Sequence, residues 1–433
     1  MPAVRENEVR GSYLTREVPG CGGRARERPE DFQVEEIPLA PPGGAGEHLY
    51  LWVEKRGLST LEAVRRLARL AGIPEEEAGY AGLKDAQAVT RQWISLRCGR
   101  EGEGRVAGEA PGEGLRVLRL ERGRAKLRRG ELRGNRFLLR LRGVTPEGEG
   151  RARAALGILE ARGAPNGFGE QRFGAHGHSA EAGLALAAGD AEGALRALLG
   201  SGRLGERADV RLREAARRFE AGDFAGALGL LPPSWEGERR ALARLAGGAS
   251  PAQAARAIPG RERMLYGSAL QAAWFNACLA LRLERGLHDR LLAGDVAVSH
   301  ASGKAWRVGE PEEEAQALAR FEASPAGPLL GEKMLAARGE PAAIEAEAAR
   351  RLGLGLEGAA AGLGSMGLRG GRRPYRARLE ELDVRREGED LLLGFVLPPG
   401  AYATEVLREV LKEGPPPGAR LGWIGSSQGG AGA

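Results

Sequence analysis

The chain has 433 residues, of which 42% are hydrophobic, 28% charged and 5% aromatic, and its formal net charge is +6 at pH 7. This length exceeds one ordinary hydrophobic core, so we expect two or three domains of a globular protein. No run of about 18 apolar residues occurs and the first 25 residues are charged, which argues against a membrane helix and a secretion signal and predicts a cytoplasmic location.

Cysteine and histidine residues form no disulfide or metal-binding pattern. Cys21, Cys98 and Cys278 are widely separated and make no CxxC pair, so we expect reduced thiols. The five histidines include no HExxH motif, and only His176 and His178 are close together. Because the spacing of metal ligands is missing, the sequence predicts no metal site.

Residues 24 to 150 alternate strand and helix signals, which indicates an α/β or α+β domain. Helices are predicted to begin after the cap residues Ser59 and Thr145 and to end near Gly72 and Arg162. Strand signals, rich in β-branched and aromatic residues, occur at His48 to Lys55, at Tyr80 to Leu83, around Trp93 to Leu96 and at Asn135 to Gly143.

Asp85 is the single acid in "YAGLKDAQAVTRQWISL", residues 80 to 96. It follows a predicted strand and a tight turn, at a place where functional groups are often displayed. Farther along, residues 122 to 142 carry eight arginines and one lysine against one acid, Glu131. This basic run fits either a surface that binds a polyanion or a solvated basic hairpin.

The texture changes to Ala, Leu, Arg, Glu and Gly from about Gly174 to Gly260, which favours short helices in a second domain. Two segments within it resemble each other at a spacing of 33 residues, but a stacked repeat array needs about three copies, so we expect a compact helical insert. Beyond it, the sequence predicts a helix at Ser268 to Gly286, a hairpin at Gly294 to Val308, a strand at Asp390 to Gly400, a helix capped by Thr404, and a flexible tail.

Two more stretches depart from this texture. "RGNRF" places Asn135 and Phe137 two residues apart, and therefore on the same face of a strand. "GAPNGFGEQRFG", residues 163 to 174, is a glycine-rich loop that carries Phe168 and Arg172. Such a loop lets the backbone approach a ligand closely, while aromatic and guanidinium groups offer stacking surfaces for bases.

These motifs together resemble the TruD family of tRNA pseudouridine synthases. The resemblance also runs through "RPEDFQVEEIP", "GEHLYLWVEKRGLST", "LQAAWFNACLALRL", "SPAGPLLG" and "LPPGAYATEVLREVL", in the order of the family, and spans about residues 25 to 412. It implies an α+β fold, in which a catalytic domain with a central antiparallel sheet is interrupted by a mostly helical insertion domain. It also implies that a uridine of tRNA, at position 13 in bacterial members, is converted to pseudouridine without a cofactor.

The domain organisation expected from this resemblance has five parts. They are an N-terminal extension at 1–24, a first catalytic segment at 25–162, the insertion domain at 163–335, a second catalytic segment at 336–415, and a flexible tail at 416–433. The expected partner is tRNA, and we expect a monomer.

Isomerising uridine to its C-glycoside requires a carboxylate near C1′ in a pocket that keeps solvent from the reactive intermediate. Asp85 is the candidate, as nucleophile or as general base. The resemblance assigns substrate contacts to Asn135 for hydrogen bonding and Phe137 for stacking, and we expect further contacts from four residues: Lys84, Arg91, Phe168 and Arg172. Ala86 departs from the family, in which a basic residue often follows the catalytic acid, so a phosphate contact there must come from elsewhere, such as Arg91 or the basic run.

Three other functions compete with this interpretation. A non-catalytic RNA-binding protein of the same fold would have lost the acid, whereas Asp85 is present. A helical repeat adaptor would need a third copy of the repeated segment, and a metal-dependent hydrolase would need clustered histidines and carboxylates beyond His176 and His178.

Overall fold

A computed structural model describes residues 13–173, 178–204 and 209–412. Within them the chain divides into two compact units: one contains Thr15–Ala164 together with residues 377–412, and the other contains the described residues of Pro165–Arg376. Most of the predicted N-terminal extension, the predicted flexible tail and His176 lie outside the described residues.

The strands are numbered in chain order. They are β1 (Arg24–Ala25), β2 (Phe32–Pro38), β3 (His48–Arg56), β4 (Ala78–Tyr80), β5 (Val89–Arg97), β6 (Leu115–Gly123), β7 (Leu132–Arg142), β8 (Ala164–Pro165), β9 (Val296–Ser299), β10 (Ala305–Arg307), β11 (Ala323–Leu329), β12 (Gly371–Pro374), β13 (Arg376–Ala377), β14 (Glu380–Glu387) and β15 (Asp390–Leu397).

The α-helices are numbered in the same way. They are α1 (Thr60–Ala71), α2 (Arg100–Gly108), α3 (Pro146–Arg162), α4 (Ser179–Ala187), α5 (Ala191–Leu199), α6 (Val210–Glu220), α7 (Phe224–Leu230), α8 (Glu236–Ala246), α9 (Pro251–Arg256), α10 (Gly260–Glu284), α11 (Ala315–Ala319), α12 (Gly339–Arg351), α13 (Leu356–Ser365) and α14 (Ala403–Leu411).

The unit that contains Asp85 is built on one large sheet with the order β14-β15-β7-β2-β5-β3-β6, to which β1 adds beside β7 and β4 beside β5. Neighbouring strands run antiparallel, and the exception within the described residues is the parallel pair β2 and β5 at the centre. The sheet is therefore mixed, and the α+β class predicted from the sequence is confirmed.

Helix α1 packs against this sheet. Ser59 caps it by accepting a hydrogen bond from the N–H of Glu62, and Gly72, with a φ of 70°, ends it in the left-handed region. Its buried face, with Val64 and Leu67, packs in one core with the alternate residues of β3 that point to the same side. Full burial of each such side chain contributes roughly 1.5–3 kcal/mol.

Helices α3 and α14 pack against each other in the same unit. Helix α3 begins as predicted, because the hydroxyl of Thr145 accepts a hydrogen bond from the N–H of Gly148 and Pro146 occupies the first turn. The prediction that Thr404 caps α14 is wrong. The helix begins at Ala403, and Tyr402 stands at the N-cap position, where its side chain makes no capping hydrogen bond to the first turn.

Two other boundaries also differ from the prediction. The strand expected at Tyr80 to Leu83 ends at Tyr80, and residues 81 to 88 form an irregular loop. The helix expected to begin at Ser268 begins at Gly260, after Pro259, because its first two turns lack the apolar stripe on which the prediction depended.

The other unit is mostly helical, as its composition predicted, with a small sheet of order β10-β9-β11-β12. Strands β9 and β10 form the predicted hairpin. Helix α10 supplies much of the core, and its Arg282 is paired with Asp295 at 2.8 Å with both side chains almost fully buried. None of the helices among the described residues combines the length and the apolar character that a membrane crossing needs.

Candidate active site

Asp85 lies in the irregular loop between β4 and β5. Its Oδ2 accepts a hydrogen bond from Nη2 of Arg26 at 2.5 Å, and its Oδ1 accepts one from the N–H of Gln87 at 3.0 Å. The Asp85 side chain is 17% exposed and that of Arg26 is 14% exposed. A carboxylate that is oriented by a cation and still partly open to solvent can meet a substrate.

Arg26 has two further features that sequence reasoning missed. Its φ is 62°, in the left-handed region that residues other than glycine rarely adopt. Its guanidinium carbon lies 4.5 Å from the ring centroid of Phe32, the first residue of β2. The arginine is thus held between an aromatic ring and the carboxylate of Asp85.

Lys55 holds the backbone of the loop that carries Asp85, and sequence reasoning missed this residue as well. It is fully buried, and its Nζ donates to the carbonyl oxygens of Leu58 and Asp85 at 2.7 Å and of Lys84 at 3.3 Å. The signal was present in β3, where Leu49, Leu51, Val53 and Lys55 alternate and all four are buried. A lysine at a buried position of a strand needs polar partners, and here they are backbone carbonyls.

The side chain of Lys84 does not meet that of Asp85. Its Nζ lies 2.7 Å from Oε2 of Glu36 on β2, and the two side chains are only 4% and 1% exposed. The other oxygen of Glu36 accepts a hydrogen bond from the N–H of Trp93 at 3.2 Å. This pair therefore ties the loop to both central strands.

The remaining backbone of the loop is held by a short hydrogen-bond chain. The N–H of Lys84 donates to Oγ1 of Thr60, which donates to Oε1 of Gln92, and Nε2 of Gln92 donates to the carbonyl of Gly82. Each of these distances is 2.9 or 3.0 Å. Helix α1 and strand β5 thus fix the segment that leads to Asp85.

Asn135 and Phe137 follow each other on the same face of β7, as the sequence predicted. Asn135 lies opposite Glu36 of β2, and Phe137 lies opposite Val34. Oδ1 of Asn135 is buried and has no hydrogen-bond partner among the described residues. A buried acceptor without a partner is uncommon, and it is a feature that a ligand donor could satisfy.

Phe137 is a buried aromatic residue of the sheet. Its ring centroid lies 6.1 Å from that of Phe32, edge-on, and 5.6 Å from that of Phe395 on β15. Phe32, Phe137 and Phe395 thus form a row of aromatic rings. Because Arg26 stacks on Phe32, this row connects Phe137 to the arginine that pairs with Asp85.

Arg91 points to the opposite side of β5 from Gln92. Its Nε donates to Oε2 of Glu54 at 2.9 Å, and it also lies 3.6 Å from Glu35. Its assignment as a substrate contact stays a prediction.

Phe168 and Arg172 belong to the unit formed by Pro165–Arg376. Phe168 is buried against Phe275, with ring centroids 5.4 Å apart, and the guanidinium carbon of Arg373 lies 4.2 Å from its ring. Arg172 lies in a 3-10 helix at Glu170–Phe173, and its Nη1 donates to Oγ of Ser268 at 3.3 Å. Their contact with RNA stays a prediction.

A metal ion would need a cluster of acidic, histidine or cysteine ligands. In residues 13–173, 178–204 and 209–412, no three such side chains lie close enough together to hold one.

Comparisons with known proteins point to the same family over nearly the whole chain. The family model described as "tRNA pseudouridine synthase D (TruD)" matches residues 8–410. The tRNA pseudouridine synthase D of Geobacter sulfurreducens is 47% identical over 414 residues, which cover 94% of this chain and 98% of that protein. The enzyme of the same name from Thermus thermophilus is 38% identical and covers 92% of both chains.

A solved structure agrees as well. The crystal structure of a Methanosarcina mazei protein assigned as tRNA pseudouridine synthase D (TruD) is similar with a TM-score of 0.79 at 26% identity. The similarity covers 96% of this chain and 99% of that one.

Proposed function

This chain belongs to the TruD family of tRNA pseudouridine synthases, a family of isomerases, and from that premise we propose that it isomerises uridine 13 of tRNA with Asp85 as the catalytic carboxylate. The observation that carries the proposal is the pair formed by Asp85 and Arg26, in a loop whose backbone is held by Lys55 and Thr60. We also propose that no cofactor takes part.

The chemical group that the reaction requires from the protein is a carboxylate held close to the uridine. The C1′–N1 bond breaks, the base rotates, a C1′–C5 bond forms, the proton on C5 leaves and N1 gains a proton. Asp85 acts on the sugar or the base as nucleophile, or removes a proton as general base. The guanidinium of Arg26 compensates the negative charge and fixes the orientation of the carboxylate.

Recognition of the target base falls to β7 in this proposal. Phe137 provides the apolar contact, supported by its row with Phe32 and Phe395. The buried Oδ1 of Asn135 accepts a hydrogen bond from the N3–H of uracil, which is the donor that this base offers in a nucleotide. Unstacking the uridine into the pocket costs a few kcal/mol, which these contacts and phosphate contacts offset.

We assign the catalytic role to the unit that contains Asp85 and the role of insertion domain to the unit Pro165–Arg376, which ends later than the 163–335 expected from the sequence. Phe168 and Arg172 contact RNA from the insertion domain and Arg91 contacts it from the catalytic domain, as expected from the sequence. Lys84, expected as a fourth contact, instead holds the Asp85 loop through its buried pair with Glu36. The protein works as a cytoplasmic monomer on tRNA. The similarity to enzymes named tRNA pseudouridine synthase D over almost their full length supports tRNA as the substrate.

The test is tritium release from tRNA labelled at C5 of uridine. We expect release by the native protein and none by Asp85→Asn, with the affinity for tRNA retained. Asp383→Asn is the matched control, because Asp383 is an exposed acid of the same unit that pairs with Arg385. A tRNA with cytidine at position 13 tests the position.

Release from the cytidine-13 tRNA at the native rate would reject position 13. Absence of release from any tRNA, despite tight and salt-sensitive binding, would reject catalysis in favour of a non-catalytic RNA-binding protein.

A further inference from the structure

The basic run at 122 to 142 is divided by the structure into two parts with different electrostatics. In β7 from Arg136 onward, each of three arginines is neutralised by acids of the same unit. The pairs are Arg136 with Glu381 at 2.7 Å, Arg140 with Glu387 at 2.8 Å and Asp390 at 3.0 Å, and Arg142 with Asp31 at 2.6 Å. These three arginines therefore already form ion pairs within the fold.

The connection between β6 and β7, together with the first two residues of β7, has different electrostatics. Arg124, Arg128, Arg129 and Arg133 are all exposed, and none of them forms an ion pair with an acid of residues 13–173, 178–204 or 209–412. Glu131, the acid of this segment, accepts the backbone N–H of Arg128 at 2.8 Å. We call the segment 124–133 the arginine loop.

The arginine loop is attached to the segment that carries Asp85. The N–H of Gly130 donates to the carbonyl of Ala81 at 2.8 Å, and the N–H of Leu127 donates to Oγ of Ser95 at 2.9 Å. Backbone-to-backbone attachment four residues before Asp85 fixes the distance between the loop and the carboxylate.

Arg129 adds a side-chain attachment at the same place. Its Nη2 donates to the hydroxyl of Tyr80 at 2.6 Å, and its guanidinium carbon lies 5.3 Å from the tyrosine ring. The remaining N–H groups of its guanidinium are available to an acceptor in solvent.

We propose that the arginine loop binds phosphates of the RNA strand next to the target uridine. This proposal rests on the proposed function, because it takes the ligand to be the RNA on which Asp85 acts. A guanidinium matches a phosphate with two parallel hydrogen bonds, and an exposed arginine without an acid partner gives up no internal ion pair to make them. The attachment to Ala81 and Tyr80 makes the nearest phosphates those that flank the nucleotide at Asp85.

Binding of tRNA to the full chain over a series of KCl concentrations tests the proposal, in an Asp85→Asn background so that the RNA stays unmodified. Arg128→Ala and Arg133→Ala are compared with Arg136→Ala and Arg140→Ala, which come from the same run but are paired within the fold. Each loop variant is expected to weaken binding several-fold and to reduce the slope of log K against log salt by about 0.7 to 0.9. The two control variants keep the slope.

Retention of the native slope by both loop variants would overturn the proposal. Equal weakening of binding to heparin and to tRNA, with KM for tritium release unchanged in an Asp85-containing chain, would make the loop a general polyanion surface and would also overturn it. Because binding is measured without turnover, a failure of catalysis is detected separately, as absence of tritium release by the native protein.

Discussion

Nζ of Lys55 donates a hydrogen bond to the main-chain carbonyl oxygen of Asp85 at 2.7 Å. The protonated side chain has three N–H donors, and the other two are directed at the carbonyls of Leu58 and Lys84. The position of the Asp85 carboxylate therefore depends on Lys55, a fully buried side chain that holds the backbone of Asp85. Lys55 is a positioning residue in this arrangement.

Lys55→Met is expected to lower the turnover of tritium release at saturating tRNA by at least about tenfold, with KM little changed. The methionine keeps an unbranched apolar chain, but three carbonyl oxygens lose their donor, and a displaced loop moves Asp85. Steady-state kinetics measure the effect. Lys304→Met, at an exposed lysine in the hairpin of β9 and β10, serves as control.

A fall in melting temperature with native turnover would show that Lys55 supports only the fold. A rise in KM without a change in turnover would contradict the positioning role in another way, because it would place the effect on binding.

The stability of the protein is expected to depend on pH through the same residue. Burial lowers the pKa of Lys55 to about 7, against the opposing attraction of the Asp85 carboxylate. An unfolded lysine has a pKa of about 10.4, so between about pH 7 and pH 10 the unfolded chain holds a proton that the folded chain has released. Within that window the free energy of unfolding rises with pH, by at most about 1.4 kcal/mol per pH unit.

The measurement is the difference in melting temperature between the native protein and Lys55→Met. As the pH rises from about 7 to about 9, the melting temperature of the native protein should increase relative to that of Lys55→Met, because methionine has no proton to release. A constant difference over this range would show that the folded Lys55 keeps its proton.

Local signals in the sequence predicted much of the fold. Thr145 and Pro146 begin α3, and the alternation in β3 places Leu49, Leu51 and Val53 on one face, because caps and side-chain periodicity are properties of neighbouring residues. The family inferred from the motifs around Asp85 and Phe168 is confirmed by the family model and by relatives that cover almost the whole chain.

The partners of Asp85 could not be predicted in the same way. Arg26 is 59 residues away in the sequence and Lys55 is 30 away, and their contacts arise only when β2, β3 and β5 meet in the sheet. Glu36 occupies a buried position in the alternation of β2, after Phe32 and Val34, and such a carboxylate signals a buried cation, but nothing local says that the cation is Lys84.

The buried pair of Lys84 and Glu36 gives a stability prediction. Lys84→Met leaves the carboxylate of Glu36 buried without its cation, which should cost roughly 3–5 kcal/mol of unfolding free energy. Adding Glu36→Gln should recover part of this loss, because the amide is neutral and its oxygen still accepts from the N–H of Trp93. Urea unfolding measures both variants.

Arg65→Met is the control for this series, since Arg65 pairs with Glu62 on the surface and its loss should cost at most about 1 kcal/mol. A double variant as unstable as the sum of its single substitutions would show that Lys84 and Glu36 do not stabilise each other.

The attachment of the arginine loop predicts an effect on RNA binding from a residue without charge. A Cβ on Gly79 would overlap the carbonyl oxygen of Leu127 and lie 2.7 Å from Oγ of Ser95, the hydroxyl that holds the loop. Gly79→Ala should therefore displace the arginine loop and weaken tRNA binding several-fold, although the substitution removes none of its arginines. Gly104→Ala, in α2, where a Cβ meets nothing within 4 Å, should bind normally. Native affinity in Gly79→Ala, with a native melting temperature, would mean that the loop contributes to RNA binding without being held in one position beside Asp85.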